Sequence, residues 1–86
     1  MSWATTPIDT RLYESPTGER CRLIAGRVAG PGGRQWWSVS LVRENGGVRP
    51  VAGQPPIQWH RTRERAREAY GERLAALKVE GWARVE

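Results

Sequence analysis

The stretch that most constrains this chain is Arg34-Gln35-Trp36-Trp37-Ser38-Val39-Ser40-Leu41-Val42-Arg43, closed by Glu44-Asn45-Gly46-Gly47. Along an extended chain, successive side chains point to opposite faces, so Trp37, Val39 and Leu41 share one face and Trp36, Ser38 and Ser40 the other. The first face is built for burial. The second is polar with a tryptophan at its start. Asn45-Gly46 supplies the positive φ angles of a tight hairpin turn, so a central strand is predicted and the chain is expected to fold straight back on it.

Residues 1–7 show no period and read as a flexible N-terminus. Ile8, Thr10 and Leu12 alternate with Asp9, Arg11 and Tyr13, the pattern of a half-buried strand. Ser15-Pro16-Thr17-Gly18 carries the residue preferences of a type I turn and predicts a hairpin. In its second arm, residues 19–29, Cys21, Leu23 and Ala25 fall on one face, and Gly26 marks a bulge or a close approach. Gly30-Pro31-Gly32-Gly33 breaks the chain before the central strand. After the Asn45-Gly46 turn, Val48-Arg49-Pro50-Val51-Ala52 is expected to return as an edge or short strand, because Pro50 has no N–H to donate. Gly53-Gln54-Pro55-Pro56 reads as a rigid connector, with Ile57-Gln58-Trp59-His60 briefly extended again.

A helix is predicted over residues 63–80. Thr62 is a fitting N-cap, and Ala66, Ala69, Tyr70, Leu74 and Leu77 recur at the three- and four-residue steps of one helical face. Glu64, Glu68 and Glu72 lie on the opposite side, where Arg65 and Arg67 can pair with them. Gly71 is a local weakness or a close contact. Lys78 suits the last turn and Gly81 a left-handed C-terminal cap, after which residues 82–86 form a short final strand or tail with Trp82 and Val85 over the core edge. At 86 residues the chain can build one core, so residues 8–86 are expected to form a single α+β domain. Its expected architecture is an antiparallel β-meander of three to four strands packed against one C-terminal α-helix.

Charge bounds the function. There are 14 Lys+Arg against 9 Asp+Glu, and 13 of the 14 are arginine, whose planar fork suits phosphate and carboxylate and stacks on aromatic rings. A nucleic acid or an acidic protein surface is the implied partner, although a high-GC codon bias also favours arginine. With one Cys and one His, neither an internal disulfide nor a zinc site of the usual kind can form, and no cofactor is expected. No apolar run is long enough to span a membrane and nothing at residues 1–7 resembles a secretory leader, so a cytoplasmic protein with no membrane partner is expected.

Catalysis finds little support. His60 has no acidic orienter nearby in sequence, and Cys21 belongs to an alternating strand that directs it to the core. Gly30-Pro31-Gly32-Gly33 lacks the lysine and helix of a phosphate loop. The candidate nucleic-acid-binding residues are instead Trp36 with Arg34 on the polar face of the central strand, Arg43 and Arg49 flanking the turn, and Trp59 with Arg61 and Arg63 before the helix. Trp36 either stands wet among these cations or packs against the helix or a partner. A non-catalytic nucleic-acid-binding protein is the first reading. The second is a protein-interaction module, since exposed Trp and Arg also dominate protein hot spots. Whether the chain is a monomer or a dimer stays open, because an edge at residues 48–52 would permit strand addition that Pro50 opposes.

Ser40-Leu41-Val42-Arg43-Glu44-Asn45-Gly46-Gly47-Val48, then Gly53-Gln54, then Arg63-Glu64-Arg65-Ala66-Arg67-Glu68-Ala69 through Lys78 to Gly81-Trp82, together resemble a WGR domain. The resemblance implies a strand ending in a Leu-Val-Arg-Glu-like stretch, a Gly-Gln, and a helix ending in a lysine before a glycine-aromatic pair. It also implies a nucleic-acid-binding role. Where the family carries Trp, Gly and Arg, this chain has Asn45, Gly46 and Gly47, so the contact made by that Trp and Arg does not carry over.

Overall fold

The elements follow in the order β1 (Thr5–Glu14), β2 (Arg20–Ala29), a 3-10 turn (Pro31–Gly33), β3 (Gln35–Arg43), β4 (Ile57–His60), α1 (Arg63–Val79) and β5 (Ala83–Arg84). The structure is a computed structural model and describes residues 5–29, 31–50 and 54–85. Expectations for residues 1–4, Gly30, Val51, Ala52, Gly53 and Glu86 lie outside the described residues. The sheet has five strands in the order β4-β3-β2-β1-β5, and every pairing is antiparallel. The first four strands form the expected meander. The helix then carries the chain across one face and delivers β5 to the far edge beside β1, a fifth strand where three or four were expected.

Strand register sorts the side chains. Leu23 pairs with Leu41 and Ala25 with Val39, and Tyr13 stands across from Cys21, so these residues share the face that α1 covers. With Ala66, Ala69, Tyr70, Leu77 and Trp82 they make the core. Trp37 packs at its border. The predicted inward set of the central strand is therefore the observed one.

The Ser15–Gly18 turn closes by Gly18 N–H donating to the Ser15 carbonyl at 3.0 Å, with Ser15 Oγ accepting from Glu19 N–H at 3.0 Å. β1 begins at Thr5, ahead of the expected Ile8. The predicted bulge lies in the strand opposite Gly26: register runs from Pro7↔Gly26 to Asp9↔Ala25, skipping Ile8. Bulges sharpen local twist. Beyond this one burial changes sides: Cys21, Leu23 and Ala25 are buried toward the helix, whereas Gly26 and Val28 are buried on the opposite face and Arg27 is exposed.

The turn after β3 differs from the expected two-residue hairpin. Only Gly46 has positive φ (90°), Gly46 N–H donates to the Arg43 carbonyl at 2.9 Å, and Gly47 N–H donates to Asn45 Oδ1 at 2.9 Å. This is a type I turn followed by a left-handed glycine. Among the described residues, the returning chain pairs with β3 through Arg43 N–H to the Gly47 carbonyl at 2.8 Å, the Val42↔Val48 bridge and Arg49 N–H to the Leu41 carbonyl at 2.7 Å. Pro50 has no N–H to donate to the ladder. The true partner of β3 is β4, from Trp37↔His60 to Ser40↔Ile57.

Thr62 caps α1, its side chain accepting from Arg65 N–H at 3.2 Å. Thr62→Ala should lower the unfolding free energy by about 1 kcal/mol, read as a shift of the urea midpoint. At the other end Gly81 has φ +85°, its N–H donates to the Lys78 carbonyl at 3.0 Å, and Trp82 N–H reaches the Leu77 carbonyl at 2.9 Å. These paired bonds define the glycine-terminated helix stop and turn Trp82 back onto Leu77 in the core. A Cβ at Gly81 would also come 3.1 Å from Pro16 Cγ. Val85, expected over the core, is exposed, because alternation through β5 sets it opposite to Trp82. On α1 the buried set is Ala66, Ala69, Tyr70, Arg73 and Leu77, with Leu74 only partly buried.

Candidate functional site

α1 covers one face of the sheet, and among the described residues no helix covers the other. There Val28 pairs with Trp36, Gly26 with Ser38, Ser38 with Trp59 and Ser40 with Ile57. One step beyond the Trp37↔His60 pair, Arg61 comes to lie across from Trp36, and its guanidinium carbon is 5.0 Å from the indole centroid. A stacked pair of this kind contributes roughly 0.5–1 kcal/mol at a partly exposed site. Trp59 is a diagonal neighbour of Trp36 on the same face and remains 52% exposed. Trp36 is half-buried, neither fully wet nor sealed in the core. Ser38 is buried because Trp59 stands directly opposite so small a side chain.

The residues singled out from the sequence separate into groups. Trp36, Trp59 and Arg61 come together, and Arg34 is exposed just before β3, on the Trp36 side by alternation. Arg63 opens α1 and borders a different cavity of about 320 Å³ on the helix side, with Arg11, Arg67, Asp9 and Tyr70. Arg43 and Arg49 do not join the indoles. Arg43 is seven residues along the strand from Trp36, about 23 Å at roughly 3.3 Å per residue. Both are held by Glu19, with Arg43 Nε 3.5 Å and Arg49 Nε 3.2 Å from its Oε2. Arg49 also lies over the Trp82 ring at 5.1 Å. This cluster fastens the Gly46 turn to the start of β2 and the C-terminal end of the helix.

Around the helix-side cavity, Arg11 sits over the Tyr70 ring at 5.8 Å and 3.8 Å from Asp9. The Tyr70 hydroxyl is buried without a hydrogen-bond partner, and burial, aided by Asp9, pushes its pKa up to about 12. Cys21 is wholly buried, its thiol directed at Glu19 Oε2 at 3.7 Å, and burial raises its pKa. His60 is half-buried on the helix side with Nε2 unpaired. Among the described residues no three His, Cys, Asp or Glu side chains gather as a metal site, and no helix is long and apolar enough to cross a membrane.

One buried charge was missed from sequence. Arg73 is only 4% exposed, donates from Nη2 to the Pro55 carbonyl at 3.4 Å, and leaves Nε and Nη1 without a partner. Burial lowers its pKa. The signal was present in the spacing, since Arg73 follows Tyr70 by three residues and precedes Leu77 by four, a core position in any helix that buries both.

Fold and site together define a small α+β protein whose one helix closes one side of a five-stranded antiparallel sheet and leaves an indole-guanidinium group on the other. No family model matches the chain, and neither a curated protein nor a solved structure matches it.

Proposed function

We propose that this is a non-catalytic nucleic-acid-binding protein that takes single-stranded DNA or RNA across the open face of its sheet. The observation that carries this reading is Trp59, half exposed beside a Trp36 ring already stacked on Arg61. Two neighbouring indoles on the sheet face opposite the helix offer flat surfaces to successive unpaired bases, at about 1–3 kcal/mol per stacked base. Arg34 and Arg61 supply cations for the intervening phosphates, within a chain of formal charge +5. A base cannot stack this way while paired in a duplex, which favours single strands. The buried, protonated Cys21 thiol suits a binding role better than nucleophilic chemistry. The WGR-like pattern points to the same partner class, although the exposed Asn45-Gly46-Gly47 turn has no ring or guanidinium and lies far from the two indoles.

A protein partner is the second reading, favoured by one observation. Leu12, Ile24 and Val42, together with Arg22, Arg43 and Glu44, border a cavity of about 340 Å³ on the face opposite the helix, a mixed apolar and charged lining of the kind protein hot spots use. Gel shifts with single- and double-stranded DNA and RNA at 50 and 200 mM salt, conditions chosen to expose counterion release, separate the two. We expect single strands to bind, to weaken steeply with salt, and to lose roughly tenfold or more in affinity in Trp59→Ala with an unchanged circular-dichroism spectrum. Absence of any shift at low salt would sink the nucleic-acid reading. Salt-insensitive capture of a protein would favour the second.

A further inference from the structure

Independently of the indole surface, we infer that the cleft between β1 and the N-terminal half of α1 binds a phosphate dianion, free or as the head of a small phosphomonoester, held by Arg63 and Arg67. The cleft has a volume of about 320 Å³. Its rim carries Arg11, Arg63, Arg67 and Asp9, and Arg63 and Arg67 are both exposed, so their guanidinium groups are accessible to a ligand. Its floor of Ala25, Ala66 and Tyr70 is buried and closed. The Tyr70 hydroxyl, its pKa pushed up to about 12 by burial, stays neutral and adds no negative charge beneath the arginines.

Charge selects the ligand. Arg63 and Arg67 lie one turn apart on the same side of the helix, close enough for both guanidinium forks to reach one tetrahedral anion. Among the described residues neither side chain has an ion pair, and Arg63 stands in the first turn, where the helix dipole disfavours a cation. An anion between them relieves both their mutual repulsion and the dipole. Arg11 is already matched by Asp9 at 3.8 Å. Two positive charges therefore remain, the number a phosphomonoester neutralises and one more than a phosphodiester does. Gly71, on the same rim, is a second and independent observation. A glycine inside a helix weakens it, yet a Cβ here would meet nothing within 4 Å, so no close contact in the fold requires the missing side chain. A longer side chain at this position would lean back over the preceding turn, toward Arg67, and close the cleft. Glycine keeps it open.

The test is an NMR titration of the intact protein with inorganic phosphate, methyl phosphate and dimethyl phosphate at constant ionic strength, above the pH at which the monoester gains its second charge. It follows the Gly71 amide and the methyl groups of Ile8, which is 38% exposed at the same cleft. Inorganic phosphate and methyl phosphate are expected to shift both saturably, and whichever binds more tightly names the source, free ion or esterified head. Dimethyl phosphate, a monoanion, should bind roughly tenfold more weakly, and Arg67→Gln should weaken the dianions by roughly tenfold or more, the loss of one charge-assisted contact. Arg65→Gln, on the far side of the helix, should leave them unchanged. Gly71→Leu should stay folded by circular dichroism and lose most of the binding. No saturable shift at Ile8, or dimethyl phosphate binding as well as methyl phosphate, would overturn the dianion site. Equal losses in Arg65→Gln and Arg67→Gln would overturn it too, as general attraction to a basic protein, and an undiminished response in Gly71→Leu would place the ligand elsewhere.

Discussion

Leu23→Ala should lower the unfolding free energy by about 2–5 kcal/mol, a large part of what a domain this small possesses. Leu23 is fully buried and faces Leu41 across the β2–β3 seam, on the side that α1 covers. Truncation loses the transfer free energy of the missing carbons and leaves a void whose cost depends on how far its walls can close. Here they close little. Both leucines have almost no accessible surface and are held between a hydrogen-bonded sheet and a helix fixed by caps at both ends. The upper part of the range is therefore expected. Val79→Ala, at a position 89% exposed, should stay within about 0.5 kcal/mol. Urea denaturation followed by circular dichroism checks both: the Leu23 variant moves the midpoint at constant slope and the Val79 variant does not. Equal midpoints would mean that this seam is not where helix and sheet are tied together.

Much of this fold was legible because its signals are local. The alternation of Trp37, Val39 and Leu41, the Ser15–Gly18 turn, the Thr62 cap and the Gly81 stop each depend on residues a few positions apart, and each is found as expected. The identity of the fourth strand was not legible. Asn45-Gly46 is a strong turn signal and does turn the chain, but a turn does not fix how far pairing propagates. Pro50 has no N–H to carry it on, and Ile57-Gln58-Trp59-His60 pairs with Trp37 to Ser40 of β3, a pairing that no local pattern announces. β5 was open for the same reason, since its partner β1 lies at the other end of the chain.

The candidate site was legible in its residue types and less so in their grouping. Trp36 and Arg61 meet only because β4 pairs with β3 in one register; a slip of one residue would set Arg61 on the other face. Arg43 and Arg49 looked like part of the same basic surface because turn-flanking cations are usually solvated. The structure gives them Glu19, 24 and 30 positions earlier in the chain, as a common counter-ion. Arg73 failed for a different reason. Hydrophobic patterning reads charged residues as outward, so the stripe was completed with Leu74, although the spacing of Tyr70 and Leu77 assigns the inner position to residue 73.

Arg73→Met should stabilise the protein, by about 1–4 kcal/mol, reversing the usual sign of a core substitution. Methionine matches the length of the arginine stem and packs against Leu77 without a charge to desolvate. The only described hydrogen bond lost is the 3.4 Å contact to the Pro55 carbonyl, and Pro55 is exposed, so water can replace the donor. For a domain of this size each kcal/mol moves the Tm by roughly 4–8 °C, well within the resolution of a thermal melt. A lowered Tm in Arg73→Met would mean that the guanidinium is compensated inside the protein, by a buried water for instance, and that its burial is structural. A raised Tm would mean that the core holds this guanidinium at a net cost to stability.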